Sequence, residues 1–202
     1  VSMQRAGYDI MQVYSRTEES ASVLAGRLGC SYVTSLKSVI ANADIYVVAL
    51  KDSALVELLP QITDGKSEKA LFVHTAGSIP ITIWEGYAGH YGVFYPMQTF
   101  SKVRDVDFRT IPVFIEAKQI ADLELLKKIG DTLSETVLEA DSEQRRYLHL
   151  SAVFVCNFAN HMFTVGERLL QEHHLPFNVM YPLLKETTEK VLSGINPSEA
   201  QT

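Results

Sequence analysis

Asp44-Ile45-Tyr46-Val47-Val48-Ala49-Leu50-Lys51-Asp52 is the stretch that decides the fold. Ile45 to Leu50 is unbroken apolar sequence, and a strand apolar on both faces is what a parallel sheet covered by helices requires. Asp52 or Ser53 stands where it can cap a helix carrying Leu55, Leu58, Leu59 and Ile62 at helical spacing. Just upstream, Leu36, Val39, Ile40 and Ala43 repeat that spacing and predict another helix. Farther upstream, Ile10–Tyr14 reads as a strand and Ala21, Leu24, Ala25 and Leu28 as a helix. Ser15-Arg16-Thr17-Glu18 offers that helix a capping box, and Gly29 suits its end. Ser31-Tyr32-Val33 could add a short strand. Downstream, Leu71–His74, Gly92–Tyr95, Ile111–Ile115 and Thr136–Leu138 are strand candidates, the last two flanking a helix from Gln119 to Leu133.

Strand and helix alternating at this rhythm predict an α/β fold with a doubly wound, mainly parallel sheet. The strands stop near Glu139. Ser142 to Glu172 then forms one long helical stretch, and a second follows Pro176, with Pro182 expected to kink it. The chain should therefore divide near residue 140 into an α/β part and an all-helical part.

The composition narrows the function. The chain has 202 residues, of which 47% are hydrophobic, enough to offset the entropy of ordering and to exclude disorder. With 18 Lys+Arg against 24 Asp+Glu, a net charge of −6 and no basic cluster, nucleic acid is a poor partner. No apolar run approaches the ~18 residues of a membrane span. Cys30 and Cys156 make no disulfide scaffold, and with no signal peptide in view a cytoplasmic location is expected. No metal site is expected, because the histidines lack ligand spacing. The chain opens at Val1 without an initiator Met, and Val1 to Ala6 reads as the last turn of a helix, so the natural chain is expected to be longer.

A doubly wound sheet binds its ligand beyond the carboxyl ends of its strands. Ser15, Arg16 and Thr17 follow the first strand, where an acid would bond the ribose of NAD and an Arg with small hydroxyls suits the 2′-phosphate of NADP. Ala49, Leu50 and Lys51 follow the central strand; their small side lets a dinucleotide lie flat, and Lys51 can meet a ribose or phosphate. Thr75, Ala76, Gly77 and Ser78 lie where a nicotinamide ring would sit, with Gly77 permitting close approach. His74 beside them reads as a packed histidine. Pro96, Gln98 and Thr99 could form a substrate wall or a structural turn. On the long helix, His149, Asn157, Asn160 and Thr164 share a polar stripe about 80° wide at 3.6 residues per turn. Buried amides and imidazoles need partners, so the stripe lines a site or meets solvent.

Val13–Thr17, Asp44–Asp52, Val73–Ser78, Tyr95–Phe100 and the helix with His149 and Asn157 together resemble the Rossmann-like NADP oxidoreductases that carry a C-terminal domain of unknown function 2520. That family is similar to pyrroline-5-carboxylate and ketopantoate reductases, and its helical domain to that of 6-phosphogluconate dehydrogenase. The resemblance implies a Rossmann-like NADP-binding domain over 1–140 and a helical domain over 141–202, the latter incomplete at its end and dimer-forming. Tyr95 stands where the family tends to have His, and Val153 stands where related dehydrogenases place a Lys four residues before Asn157. The family's opening strand and its G-x-G-x-x-G turn are not in this sequence. Without that strand, a sheet ordered 3-2-1-4-5-6 should have a gap between the strands at 10–14 and 45–50.

The leading expectation is an NADP-dependent oxidoreductase acting on a small carbonyl, imine or hydroxy compound at the cleft between the two domains. In it, His149 shuttles a proton, Asn157 holds the substrate oxygen, and Ser15–Thr17, Ala49–Lys51 and Thr75–Gly77 hold NADP. The alternatives are a non-catalytic NADP-binding sensor or interaction protein, and a deazaflavin-dependent NADP oxidoreductase.

Overall fold

Short apolar strands alternating with amphipathic helices bury their apolar faces by stacking in layers, and the chain does so around two sheets. The computed structural model describes residues 1–101 and 106–200. These fall into two compact units, Val1–His149 and Leu150–Thr202.

The first unit runs α1 (Ser2–Arg5), β1 (Gln12–Tyr14), α2 (Glu18–Leu28), β2 (Ser31–Val33), β3 (Ile45–Val48), α3 (Asp52–Thr63), β4 (Leu71–His74), β5 (His90–Pro96), β6 (Val113–Ala117), α4 (Ile120–Leu133) and β7 (Val137–Glu139). α5 (Ser142–Ala152) begins in this unit. β1 and β2 pair in parallel as a separate sheet, and the larger sheet has the order β3-β4-β5-β6-β7. The gap expected between the strands at 10–14 and 45–50 is present, since β1 and β3 belong to different sheets. β3, β4 and β5 are parallel, with Val48 opposite His74 and His74 opposite Val93. β6 runs antiparallel to β5, and the described residues between them, which include a 3-10 turn at Phe108–Thr110, hold no crossover helix. α4 supplies such a crossover, and β7 is accordingly parallel to β6.

Alternation along β4 sends its side chains to two cores. Phe72 packs with Leu55, Leu59, Ile62 and Trp84 on the α3 side. Leu71 and Val73 pack with Leu126, Ile129 and Leu133 of α4 on the other.

Several local expectations need correction. The helix predicted over Leu36–Ala43 is a single 3-10 turn, Leu36–Ser38. Its backbone groups are taken by side chains from elsewhere: Gln12 Oε1 accepts from the Ile40 N–H at 3.0 Å, Tyr46 Oη donates to the Ile40 carbonyl at 2.8 Å, and Lys66 Nζ donates to the Val39 carbonyl at 3.1 Å. α2 starts from Thr17 with no side-chain cap, and Glu18 accepts from the Tyr32 hydroxyl instead of closing a capping box. Lys51, not Asp52 or Ser53, is the N-cap of α3.

The second unit contains the π-helical segment Val153–Phe158, α6 (Ala159–Glu172) and α7 (Tyr181–Leu192). Pro182 sits in the first turn of α7, where its missing N–H costs no helical bond, so it starts that helix and does not kink it. None of these helical segments contains a buried residue. Ser142–Glu172 is a continuous helix of 31 residues whose most apolar 18-residue window has a mean hydropathy of 1.2, with none of that window buried. By length and composition alone it could cross a membrane, as could a helix that other protein covers. Looking for unbroken apolar runs misses it, since Ser151, Asn157, Asn160 and His161 interrupt them.

Candidate functional site

β3, β4 and β5 end at one edge of the larger sheet, so the segments after Val48, His74 and Tyr95 are neighbours there. Two side chains come together there, Tyr95 from that edge and His149 from α5, while His74 closes the neighbouring strand. Gly77 lies beneath the His149 ring.

His74 closes β4 and is fully buried, its ring stacked on Trp84 with centroids 6.1 Å apart. Its Nδ1 accepts from the Ala76 N–H at 3.2 Å, and because that amide can only donate, the neutral ring carries its proton on Nε2. Burial, and after it the Arg145 guanidinium, push its pKa down to about 4, against weaker raising effects of the Pro80 carbonyl and the Asp52 carboxylate. His74 is thus neutral near pH 7. Its Nε2 has no hydrogen-bond partner among the described residues.

The loop after β4 is pinned at several points. The Thr75 N–H continues the ladder to the Val48 carbonyl at 3.3 Å. The Ser78 hydroxyl donates to the Asp52 carboxylate in the first turn of α3, tying this loop to the one after β3. Gly77 is buried, and a Cβ built on it would stand 2.8 Å from His149 Nδ1 and 2.9 Å from His149 Cβ. The close approach anticipated at Gly77 is therefore made by the His149 ring.

Tyr95 holds the other side of that ring. Its hydroxyl lies 3.3 Å from His149 Nδ1 and the two rings meet edge to face, 6.3 Å between centroids. Burial raises the Tyr95 pKa above 10, with the Arg145 guanidinium acting weakly against it.

One turn before His149 on α5, Arg145 is 0% exposed and paired with Glu116 of β6. It donates from Nη2 to the Ile79 carbonyl at 2.6 Å and to Ser142 Oγ at 3.2 Å. Ser142 Oγ also accepts from the Ile81 N–H at 2.9 Å and donates to Glu116 Oε2 at 2.9 Å. The first turns of α5 are thereby bound to β6 and to the loop that follows Gly77. An ion pair so buried contributes more to position than to net stability, because desolvation offsets much of its Coulomb gain.

The other predicted residues are placed as follows. Ser15 is half-buried after β1, its N–H donating to the Val33 carbonyl at 3.2 Å, while Arg16 and Thr17 are exposed at the start of α2. Arg16 forms no ion pair among the described residues. Ala49 and Lys51 are exposed and Leu50 is half-buried. Gln98 and Thr99 are exposed and hydrogen-bonded to each other. Asn157 belongs to the second unit and is exposed within the π-helical segment, through which arithmetic at 3.6 residues per turn does not run. Among the described residues no three His, Cys, Asp or Glu side chains gather to hold a metal ion.

Sequence reasoning missed the Tyr95 hydroxyl as a partner of His149, and it missed Arg145 and Glu116. Arg145 and His149 are four residues apart on one helix, which puts them on the same face, and that spacing was the available signal. Nothing in the sequence pointed to Glu116.

Residues 2–77 match the family described as NADP oxidoreductase, coenzyme F420-dependent, and residues 111–202 match the domain of unknown function 2520. No curated protein matches the chain. Among solved structures, a Bacteroides fragilis protein assigned provisionally as an NADP oxidoreductase is 56% identical, with a TM-score of 0.93 over 100% of this chain and 77% of that one. A Thermotoga maritima protein is 19% identical, with a TM-score of 0.75 over 94% of this chain and 74% of that one. An imine reductase from Myxococcus stipitatus, solved with NADP+, is 15% identical, with a TM-score of 0.64 over 95% of this chain and 70% of that one. The last two likenesses speak to the fold alone. The 56% relative, together with the two family matches, carries more: this chain belongs to the NADP oxidoreductases in which an F420-dependent-type oxidoreductase domain precedes the domain of unknown function 2520.

Proposed function

We propose that this protein uses NADP to move hydride to or from a small carbonyl, imine or hydroxy compound at the edge of the larger sheet. The observation that carries the reading is the His149 imidazole, which lies on Gly77 at the end of β4 and is hydrogen-bonded to Tyr95. An imidazole held at such a strand end can give or take the proton that accompanies reduction or oxidation of a C=O or C=N bond.

The residues at hand fit NADP. Arg16 is exposed and forms no ion pair among the described residues, and Ser15 and Thr17 flank it with hydroxyls. This is a donor set suited to a 2′-phosphate. The nearest acid in sequence, Glu18, has its carboxylate engaged by the Tyr32 hydroxyl at 3.2 Å. Ala49 offers a small exposed side chain beside Lys51. When bound, NADP supplies the hydride or accepts it. The chain's own part is to hold His149 on Gly77, to keep His74 neutral beneath the loop, and to fix that loop through Asp52 and Ser78.

Fluorescence titration with NADPH and NADH tests the cofactor. NADPH should bind more tightly, and Arg16→Ala should weaken NADPH about tenfold while leaving NADH nearly unchanged, as expected for one charge-assisted contact. Loss of nicotinamide absorbance across a panel of carbonyls, imines and a deazaflavin tests the reaction. Binding without turnover of any of them would leave the sensor reading in place of the enzyme.

We also infer that a second copy of the chain covers the helical unit. Phe154 and Phe158 stack on each other at 5.1 Å yet are more than half exposed, and Tyr181 and Val191 are exposed on one side of α7. α7 also carries the ion pairs Lys185–Glu189 and Glu186–Lys190, which suit a water-facing side opposite a protein-covered one and not a lipid-facing helix. Sedimentation velocity should find a dimer; a monomer that partitions onto lipid vesicles would overturn this.

A further inference from the structure

The hydrogen bond between Tyr95 and His149 determines which nitrogen of the imidazole bears the proton. A neutral imidazole has one N–H, on Nδ1 or on Nε2, and the partner at one nitrogen selects the form. Tyr95 Oη lies 3.3 Å from His149 Nδ1. Tyr95 is 9% exposed, and its hydroxyl has no other hydrogen-bond partner among the described residues. If Nδ1 were the donor, the phenolic proton of this largely buried side chain would be left without an acceptor among the described residues, at the cost of an unmade hydrogen bond. If the phenol donates, both groups are satisfied. The ring has little freedom to escape this choice: Gly77 crowds it at Nδ1, Cβ and Cγ, and Arg145 anchors the preceding turn of α5 through Glu116, Ser142 and Ile79.

We propose that Tyr95 is a positioning residue which donates to His149 Nδ1, so that neutral His149 is held as the Nε2–H form. The inference deepens the oxidoreductase reading and rests on it for its catalytic meaning. In this form Nε2 is a hydrogen-bond donor, which selects substrates that present an acceptor there: the oxygen of a carbonyl or the nitrogen of an imine. On reduction, that acceptor takes the Nε2 proton as its C=O or C=N bond gains hydride at carbon. In the same step the Tyr95 hydroxyl proton passes to Nδ1 and solvent reprotonates the phenol, so His149 stays neutral throughout. On oxidation the proton travels the other way.

The test reads the imidazole directly. Two-bond nitrogen–proton correlation spectra of the intact protein, at an alkaline pH where histidines are neutral, report the tautomer of each of its 6 histidines, with His149 assigned by comparison with His149→Gln. The expected result is a single Nε2–H pattern for His149 in the wild type. Tyr95→Phe keeps the ring and removes the donor, and should give averaged shifts from mixed tautomers. With a substrate in hand, Tyr95→Phe should lower kcat about tenfold while leaving NADPH affinity unchanged. A wild-type His149 protonated on Nδ1, or identical His149 spectra in wild type and Tyr95→Phe, would overturn the proposal. The wild-type pattern is read without Tyr95→Phe, so misfolding of that variant cannot rescue the proposal. Neither spectrum depends on turnover, so a failure of the oxidoreductase reading would register in the NADPH titration and absorbance panel instead.

Discussion

Acidification should destabilise the first unit through His74, by an amount that follows from its surroundings. In the unfolded chain a histidine has a pKa near 6.5; in the fold, burial and then Arg145 bring His74 down to about 4. Between these values the unfolded chain binds a proton that the folded chain refuses. Stability due to this group is therefore complete above about pH 6.5, falls as the pH drops toward 4, and changes no further once both states are protonated. The loss at pH 4 relative to pH 7 comes to about 3 kcal/mol at ~1.4 kcal/mol per pH unit of difference, a large share of an ordinary domain's stability. His74→Asn removes the titration while leaving a side-chain oxygen that can accept from the Ala76 N–H. Urea unfolding at pH 4 and pH 7, followed by Trp84 fluorescence, gives the measurement. Trp84 is the sole tryptophan, is fully buried and stacks on His74, so it reports this unit alone. Acid dependence from the rest of the fold is common to both proteins, and the comparison cancels it. The wild type should lose about 3 kcal/mol more than His74→Asn over this interval. Parallel pH profiles for the two proteins, or a native His74 that titrates near 6.5 by NMR, would refute the reasoning.

Gly77→Ala should drive the His149 ring off its seat, since the new Cβ would stand 2.8 Å from Nδ1. The expected cost is about 1–3 kcal/mol in urea unfolding, together with loss of the single-tautomer signal of His149. Gly92→Ala meets harder matter: its Cβ would lie 2.5 Å from the Glu116 carbonyl on the paired strand, with no flexible side chain to give way. It should destabilise by about 3 kcal/mol or more, or abolish folding, as soluble yield and the Trp84 transition will show. Arg145→Leu leaves the Glu116 carboxylate, 16% exposed, without its cation and should cost about 3–5 kcal/mol. Adding Glu116→Gln to that variant should recover part of the loss; no recovery would mean the pair is not what the substitution disturbed.

Much of this architecture is legible because it depends on local pattern. The apolar runs Ile45–Val48 and Leu71–Val73 lie in the parallel strands beside which the site forms, and the leucine spacing of α3 is that of a helix against a core. Local pattern failed where distant side chains took over backbone groups. Leu36–Ala43 has helical spacing, yet Gln12, Tyr46 and Lys66 claim the carbonyls and the amide that a helix would have used. The site divides in the same way. His149 could be found from its own helix, and Gly77 from its need for close approach. The partner that gives His149 a defined proton is Tyr95, 54 residues earlier in sequence, and no periodicity links the two.

Position at the site is set in sequence along α5. Arg145 is buried first, against Glu116, Ser142 and the Ile79 carbonyl, and these contacts fix both the rotation of the helix and the loop leaving Gly77. His149 follows four residues later on the same face, so its ring is brought to Gly77 by the helical repeat and needs no tether of its own. Only the ring's proton is then unspecified, and one hydroxyl suffices to specify it. On this account, replacing His in the family pattern by Tyr95 does not remove function from the position. A phenol that burial keeps protonated donates dependably to Nδ1, whereas an imidazole in its place could donate or accept and would leave the tautomer of His149 open.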